Sequence, residues 1–501
     1  MEAFDLKRVY RLINDIENVK IGDFADSPNS IILDGRGKNI PKGTGYVVGT
    51  SIAYKLNELA KESGQGSEKK YFLVSGDGRL DTAQITHEIQ EALIEQGITV
   101  LSAGYENTTP FFDVNREWLG ISGVNVTASH QSHEYNGFKL VFDAPNNKKG
   151  SISQLIKDAT KYHGQEIFDV QSLLFQRYTS GLIEFASGIE SDGAVLYDAM
   201  HGASYPFFET VARAISLEHI PFREKSNGYF PLTAKGPDPS YYANLSFLRQ
   251  HANQFGCSMI HIADGDGDRY ALSLNIDGEI LMIEPAYFVA LRAANLKEGR
   301  RTKYVAEHSL AAVVNAYLRT HGVGVIAVKR GRASHIGATK RLRYKAIGAS
   351  EIGLHHYDEN GFDDAVKNTF ELMKINQRII ENDGNLIQEL GKIKQELPFF
   401  FPELRVGSAV PKNMLYKEIK DAYPESNEGD GIIYRTNGLF WNLRASSNAD
   451  EKTLNISGDE SKVHRAFEDL TSRLSKIDTG LANAFREDLE KKLQDREKFC
   501  F

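Results

Sequence analysis

The stretch Met259–Arg269, MIHIADGDGDR, constrains this chain more than any other. A short apolar strand, Met259–Ala263, runs straight into Asp264-Gly265-Asp266-Gly267-Asp268-Arg269. Three carboxylates at spacing two, with glycines permitting close backbone approach, can all point at one hard cation. Oxygen-only ligation suits Mg²⁺ rather than zinc, and Arg269 adds a fixed cation suited to phosphate. The plainer alternative is an Asp/Gly turn or a calcium loop. An EF-hand is disfavoured because no glutamate stands at the required loop position.

The same rhythm of apolar strand, polar glycine-containing loop and helix recurs along the chain. Ile31–Leu33 enters Asp34-Gly35-Arg36-Gly37, and Tyr71–Ser75 ends in Gly76-Asp77-Gly78-Arg79. Ala194–Asp198 precedes Ala199–Ala203, and Gly324–Val328 precedes the basic run Lys329–His335. Apolar strands alternating with helices predict parallel pairing with both sheet faces covered. Long helical stretches are expected over 152–189 and 365–381. Near the C-terminus the rhythm changes: Gly431–Arg435 and Leu439–Leu443 flank Thr436-Asn437-Gly438, a hairpin signal. The 501 residues exceed what one core can organise. The expected layout is a helical extension over 1–30 and α/β domains over 31–150, 151–277 and 278–384. A smaller antiparallel α+β domain follows over 385–501.

A net charge of −8 argues against a general nucleic-acid binder. Two cysteines, Cys257 and Cys500, exclude a zinc ribbon or disulfide scaffold and suit a reducing cytoplasm. Neither a signal peptide nor a membrane span is expected.

Four further segments carry candidate chemistry. Thr127-Ala128-Ser129-His130 follows the strand Ile121–Val126, and the chain returns through Asn136-Gly137 to Lys139. Alone this reads as a polar loop. Beside a metal loop it reads as an exposed hydroxyl able to hold a phosphoryl group, with an imidazole and a cation near it. Arg444-Ala445-Ser446-Ser447-Asn448 is a donor cluster suited to a dianionic phosphate, or else a surface turn. Glu351, His355, Asp363 and Asp364 lie in glycine-containing loops and suit hydrogen bonds to vicinal sugar hydroxyls, or else a solvated loop. Lys329–His335 is a solvated cationic face or the floor of a phosphate site.

Taken in order, these loops resemble the α-D-phosphohexomutases, the phosphoglucomutase/phosphomannomutase superfamily. TASHQSHEYNGFK is similar to that family's TASHNPxxxNGxK loop, DGDGDR to its DGDxDR, SEIGLH to its GExSGH and RASSN to its RxSxT. Asp34–Gly37 is similar to its DIRG, and Gly76–Arg79 to its GRDTR. Gln131-Ser132 replaces Asn-Pro, Gly353 replaces the serine of the sugar loop, and Asn448 replaces the threonine of the phosphate loop. The resemblance implies three consecutive α/β domains with mixed, mainly parallel sheets and a C-terminal α+β domain, arranged around a central cleft. It implies a phosphoserine at Ser129, with Mg²⁺ held by Ser129, Asp264, Asp266 and Asp268. His130, Lys139, Arg36 and His335 would assist catalysis. Arg79, Arg269, Lys329, Glu351, Gly353, His355 and Asp363 would bind substrate, and Arg444, Ser446, Ser447 and Asn448 the non-reacting phosphate. The implied reaction interconverts hexose 1- and 6-phosphates, of mannose or glucose, with hexose 1,6-bisphosphate as activator. The alternative is a weakened sugar-phosphate-binding protein, or a mutase for an amino-sugar or pentose phosphate. Expected partners are small-molecule sugar phosphates, without nucleic acid or membrane, for a cytoplasmic monomer or homodimer.

Overall fold

The computed structural model describes residues 19–27, 30–62, 70–143, 149–161, 166–190, 193–445 and 451–501. Its contacts divide the chain into two compact units: Met1–Tyr270 with Phe362–Met373, and Ala271–Gly361 with Lys374–Phe501. Each is α/β, with mixed sheets. Among the described residues, no helix is long and apolar enough to cross a membrane.

In the first unit, Tyr71–Gly76 lies between Ser122–Val126 and Thr99–Ser102, parallel to both. These strands are almost wholly buried, as short apolar runs without alternation require. Helices Thr44–Glu62 and Thr82–Glu95 pack beside them through Val48, Ile52, Ile85, Ile89 and Leu93. The approach of the two helices is close: a Cβ on Gly49 would stand 2.8 Å from the Ile89 carbonyl oxygen. Beyond Ser122–Val126 the sheet turns antiparallel, through Tyr135–Asp143 to Ser30–Lys38 and then Val19–Ser27. That register sets Lys139 opposite both Asp34 and Asn125, so the three share one face. A second parallel set places Val195–Asp198 between His219–Phe222 and Met259–Ala263. Asp264 therefore begins a loop at the carboxyl end of a buried strand, where α/β sheets place their ligands.

The first 18 residues of the expected leader lie outside the described residues. Val19–Ser27, expected within the helical extension over 1–30, is a strand pairing with Ser30–Lys38. The expected helix over 152–189 is interrupted: helix Lys149–Asp158 ends, Thr160–Lys161 and Ile167–Asp169 pair as strands, and helix Gln171–Ala186 follows. Ile167–Asp169 adds to the parallel edge at Val100–Ser102, and that pairing outweighs local helix preference.

In the second unit, Lys303–Glu307 lies between Gly324–Val328 and Ala346–Ser350, both parallel to it. Glu351 follows the last of these directly. A separate antiparallel sheet runs Phe399–Phe400, Glu451–Gly458, Leu439–Ala445, Gly431–Thr436, Asn427–Gly429, with Leu404–Gly407 also on Glu451–Gly458. Trp441, Leu443, Leu454 and Ile456 pack there against Phe467, Leu470 and Phe485 from helices Glu460–Ile477 and Thr479–Phe499. The last helix reaches the segment near Glu284, which Arg496 meets at 2.7 Å.

Phe72 is fully buried in the central parallel strand. Phe72→Ala is expected to destabilise the first unit by about 3–5 kcal/mol, read as a lower urea midpoint for its unfolding.

Candidate active site

Ser129 sits three residues past Val126 in the left-handed region, at φ 54°. Its N–H donates to Thr127 Oγ1 at 2.8 Å, and Thr127 Oγ1 donates to Asp266 Oδ2 at 3.1 Å. Ser129 Oγ donates to Asp264 Oδ2 at 3.0 Å and lies 3.2 Å from His130 Nδ1. The serine loop and the carboxylate loop, 135 residues apart, thus form one cluster. The hydroxyl is fully buried rather than exposed as the sequence suggested. The reason is close backbone packing: a Cβ on Gly265 would stand 2.7 Å from the Ser129 carbonyl oxygen.

Carboxylate oxygens of Asp264, Asp266 and Asp268 all lie within 4.8 Å of one another, and all three residues are buried. Lys139 Nζ donates to Asp266 Oδ2 at 2.8 Å, to Asp268 Oδ2 at 2.5 Å and to Thr109 Oγ1 at 3.2 Å. Thr109 in turn donates to Asp266 Oδ2. The other oxygen of Asp266, Oδ1, is buried with no hydrogen-bond partner. A buried anionic oxygen left over in this way fits a cation ligand. Burial, reinforced by the charges of Asp268 and Asp266, pushes the Asp264 carboxyl well above the ordinary range. Burial acts upward on Asp266 too, but Lys139 and its hydrogen bond outweigh it and hold that carboxyl low. Two neighbours that behave oppositely describe three negative charges sharing too few cations.

Arg36 pairs with Asp34 at 2.8 Å and feels the charges of Asp266 and Asp268. Arg269 pairs with Asp238 at 3.3 Å, and its Nε lies 3.9 Å from Asp264 Oδ2. His130 Nε2 lies 3.9 Å from the same Asp238 carboxylate. Arg79 departs from the expected substrate role. It is buried, and all five of its N–H donors go to protein acceptors: Asp77 and the carbonyls of Ser129, Gln131, Ser132 and Tyr135. Thr109, Thr127, Asp77 and Asp238 complete the cluster, none of them having an expected role from the sequence. Asp238, between Pro237 and Pro239, carried a signal in its rigid setting.

Asp363 belongs to the first unit, whereas Glu351, Gly353, His355, His335 and Lys329 belong to the second. Glu351 accepts from Tyr357 Oη at 2.8 Å and lies 3.3 Å from His335 Nδ1. Burial acts upward on its carboxyl, yet His335, His355 and the Tyr357 hydrogen bond hold it below the usual range. His335 Nδ1 also lies 3.0 Å from the Gly331 carbonyl oxygen. Both of its neighbours are acceptors, so Nδ1 carries the proton, and the buried Nε2 is left without a partner. Gly353 has open space around it: a Cβ there would meet nothing within 4 Å. The basic run divides in function. Lys329 is exposed, while Arg330 is tied up by Glu307 at 2.9 Å and by Glu403. Arg444 pairs with Asp430 at 2.9 Å, and the Arg330 N–H donates to that carboxylate at 2.6 Å. Ser446, Ser447 and Asn448 lie outside the described residues.

Residues 41–164 match the family model for phosphoglucomutase/phosphomannomutase, alpha/beta/alpha domain I, and residues 176–275 match the model for domain II. A phosphoglucomutase of Neisseria gonorrhoeae is 25% identical over 453 residues, covering 88% of this chain and 94% of that protein. A phosphomannomutase of Vibrio cholerae is 24% identical over 468 residues, covering 87% of this chain and 96% of that one. The crystal structure of a phosphoglucomutase/phosphomannomutase family protein from Burkholderia thailandensis superposes with a TM-score of 0.68 at 19% identity, covering 89% of this chain and 96% of its own. Residues 41–164 and 176–275 thus carry domains I and II of the phosphoglucomutase/phosphomannomutase family, the α-D-phosphohexomutase superfamily of intramolecular phosphotransferase isomerases.

Proposed function

We propose that this protein interconverts hexose 1-phosphate and hexose 6-phosphate, with glucose or mannose as the sugar, through a phosphorylated Ser129. The observation that supports this best is the 3.0 Å contact between Ser129 Oγ and Asp264 inside a buried three-carboxylate cluster. Asp264, Asp266 and Asp268 would hold Mg²⁺, with an oxygen on Ser129 as a further ligand. Bound there, the cation would offset charge on a phosphoryl group during transfer. In the first half-reaction the Oγ–P bond of phospho-Ser129 breaks as a free sugar hydroxyl bonds to that phosphorus. The hydroxyl proton passes to His130, or to Lys139 once it has parted from Asp266 and Asp268. The bisphosphate formed then returns its other phosphoryl group to Ser129. Arg36 and Arg269 hold the carboxylates and phosphate in balance. Glu351 and His355 take sugar hydroxyls, with His335 as an acceptor through Nε2. Arg444, exchanging Asp430 for a phosphate, holds the end that does not react. Hexose 1,6-bisphosphate would serve as activator by reloading Ser129. We read the four sheet-bearing segments as the four domains of this enzyme.

A second reading rests on two observations. Gly353 offers no hydroxyl to the sugar, and Arg444 already has a carboxylate partner. Both suit a sugar-phosphate-binding protein with little turnover.

A coupled assay with glucose 1-phosphate or mannose 1-phosphate, Mg²⁺ and glucose 1,6-bisphosphate is expected to show turnover. Its absence with every hexose, amino-sugar and pentose phosphate favours the second reading. Ser129→Ala should lower kcat by about 10³-fold or more and remove phosphate from the protein by intact mass. Added Mg²⁺ is expected to raise the unfolding temperature of the native protein and not of Asp266→Asn, read by differential scanning fluorimetry. Glu351→Gln should raise KM about tenfold with a smaller change in kcat, read from initial rates.

A further inference from the structure

The guanidinium of Arg79 is the point on which the serine loop converges. Nη2 donates to the carbonyls of Ser129 at 2.6 Å and Gln131 at 2.8 Å, and Nη1 to those of Ser132 and Tyr135, each at 2.9 Å. Nε donates to Asp77 Oδ2 at 3.1 Å. Asp77 is itself oriented, since its Oδ1 accepts from the Arg79 N–H at 3.0 Å and from Thr82 Oγ1 at 3.1 Å. Asn136, at the far end of the loop, donates to Thr82 Oγ1 at 3.1 Å. Phe230 covers the guanidinium, its ring centroid 4.9 Å from Cζ. On the other side of the loop, a Cβ on Gly236 would stand 2.9 Å from both the His130 carbonyl oxygen and the Ser132 nitrogen. Residues 129–136, SHQSHEYN, include neither proline nor glycine. The loop has two internal turn hydrogen bonds, Gln131 N–H to the Ala128 carbonyl at 3.1 Å and Tyr135 N–H to the Ser132 carbonyl at 3.0 Å, but no proline to fix its backbone and no glycine to ease the φ of 54° at Ser129, a region that side-chain-bearing residues visit rarely.

We propose that Arg79 is a positioning residue for Ser129, acting through the backbone of residues 129–135. By gathering four carbonyls onto one planar cation it holds Ser129 in its left-handed conformation, and so aims Oγ at Asp264. The inference deepens the reading of Ser129 as the phosphoryl carrier and rests on it. Only a guanidinium fits this role: its five donors lie in a fixed plane, whereas a lysine ammonium has three and is a point charge. A displaced Oγ would still leave the sugar-binding residues intact. The loss should therefore fall on the chemical step rather than on substrate binding.

The test compares the full-length native protein with Arg79→Lys, which keeps the charge beside Asp77. Each is incubated with Mg²⁺ and glucose 1,6-bisphosphate, and phosphate on Ser129 is followed by intact mass and peptide mapping. Steady-state rates are measured with glucose 1-phosphate. Hydrogen exchange is measured across 128–136. The expected result is a kcat lower by about 10²-fold, KM within about threefold, slower loading of Ser129 and faster exchange confined to the loop. Unchanged kcat and exchange would overturn the proposal. So would a raised KM with kcat intact, which marks direct substrate contact. If Arg79→Lys does not fold, exchange in the native protein decides. Slow exchange across 128–136 supports a clamped loop, and exchange as fast as at chain ends overturns it. Failure of the native protein itself to load Ser129 would instead count against the phosphoserine reading, while the exchange data would still judge the clamp.

Discussion

Three buried carboxylates within 4.8 Å of one another cannot persist without cations, and the first unit is arranged to supply them. Lys139 takes Asp266 and Asp268. Arg269 stands beside Asp264, and Arg36 acts from the adjoining strand. The opposite behaviour of Asp264 and Asp266 shows that protein cations satisfy one carboxylate well and another poorly. A bound divalent ion is the natural remedy. The sheet register serves the same need. The antiparallel return Tyr135–Asp143 brings Lys139 opposite Asp34, on the face that also carries Asn125.

The placing of Ser129 follows from a second constraint. A serine that is to carry a phosphoryl group beside a metal has to be held still, yet its loop contains no proline and has two turn hydrogen bonds of its own. The structure holds it from outside, by Arg79 on one side and by the close-packed backbone at Gly236 and Gly265 on the other. Burial excludes water from the hydroxyl, which suits a phosphoester that would otherwise hydrolyse.

Much of this was legible in the sequence because strand-end loops are local features. Asp264–Arg269 and Ser129 each follow a short apolar strand, and such strands end where the apolar run ends. The hairpin around Thr436-Asn437-Gly438 was equally plain. What escaped depends on contacts distant in sequence. Ser129 is packed against Gly265, and the residues after it against Gly236, both more than 100 residues away. Arg79 was expected to bind substrate because Gly76–Arg79 resembles a family motif, and its four carbonyl partners carry no side-chain signature. Thr109 and Asp430 carry no signal of their own in the sequence, and it is the fold that brings them to Lys139 and Arg444. The break in the helix expected over 152–189 arises because Ile167–Asp169 finds a sheet edge, which helical periodicity cannot reveal.

The central claim is that Ser129 and the three carboxylates form one phosphoryl-transfer site. Its most direct test is to locate the phosphate after the native protein is incubated with Mg²⁺ and glucose 1,6-bisphosphate, by peptide mapping and mass spectrometry. The account predicts one phosphate, on Ser129, that is discharged on adding glucose 1-phosphate. Phosphate on another residue, or none under conditions where the sugar phosphate is turned over, would contradict it.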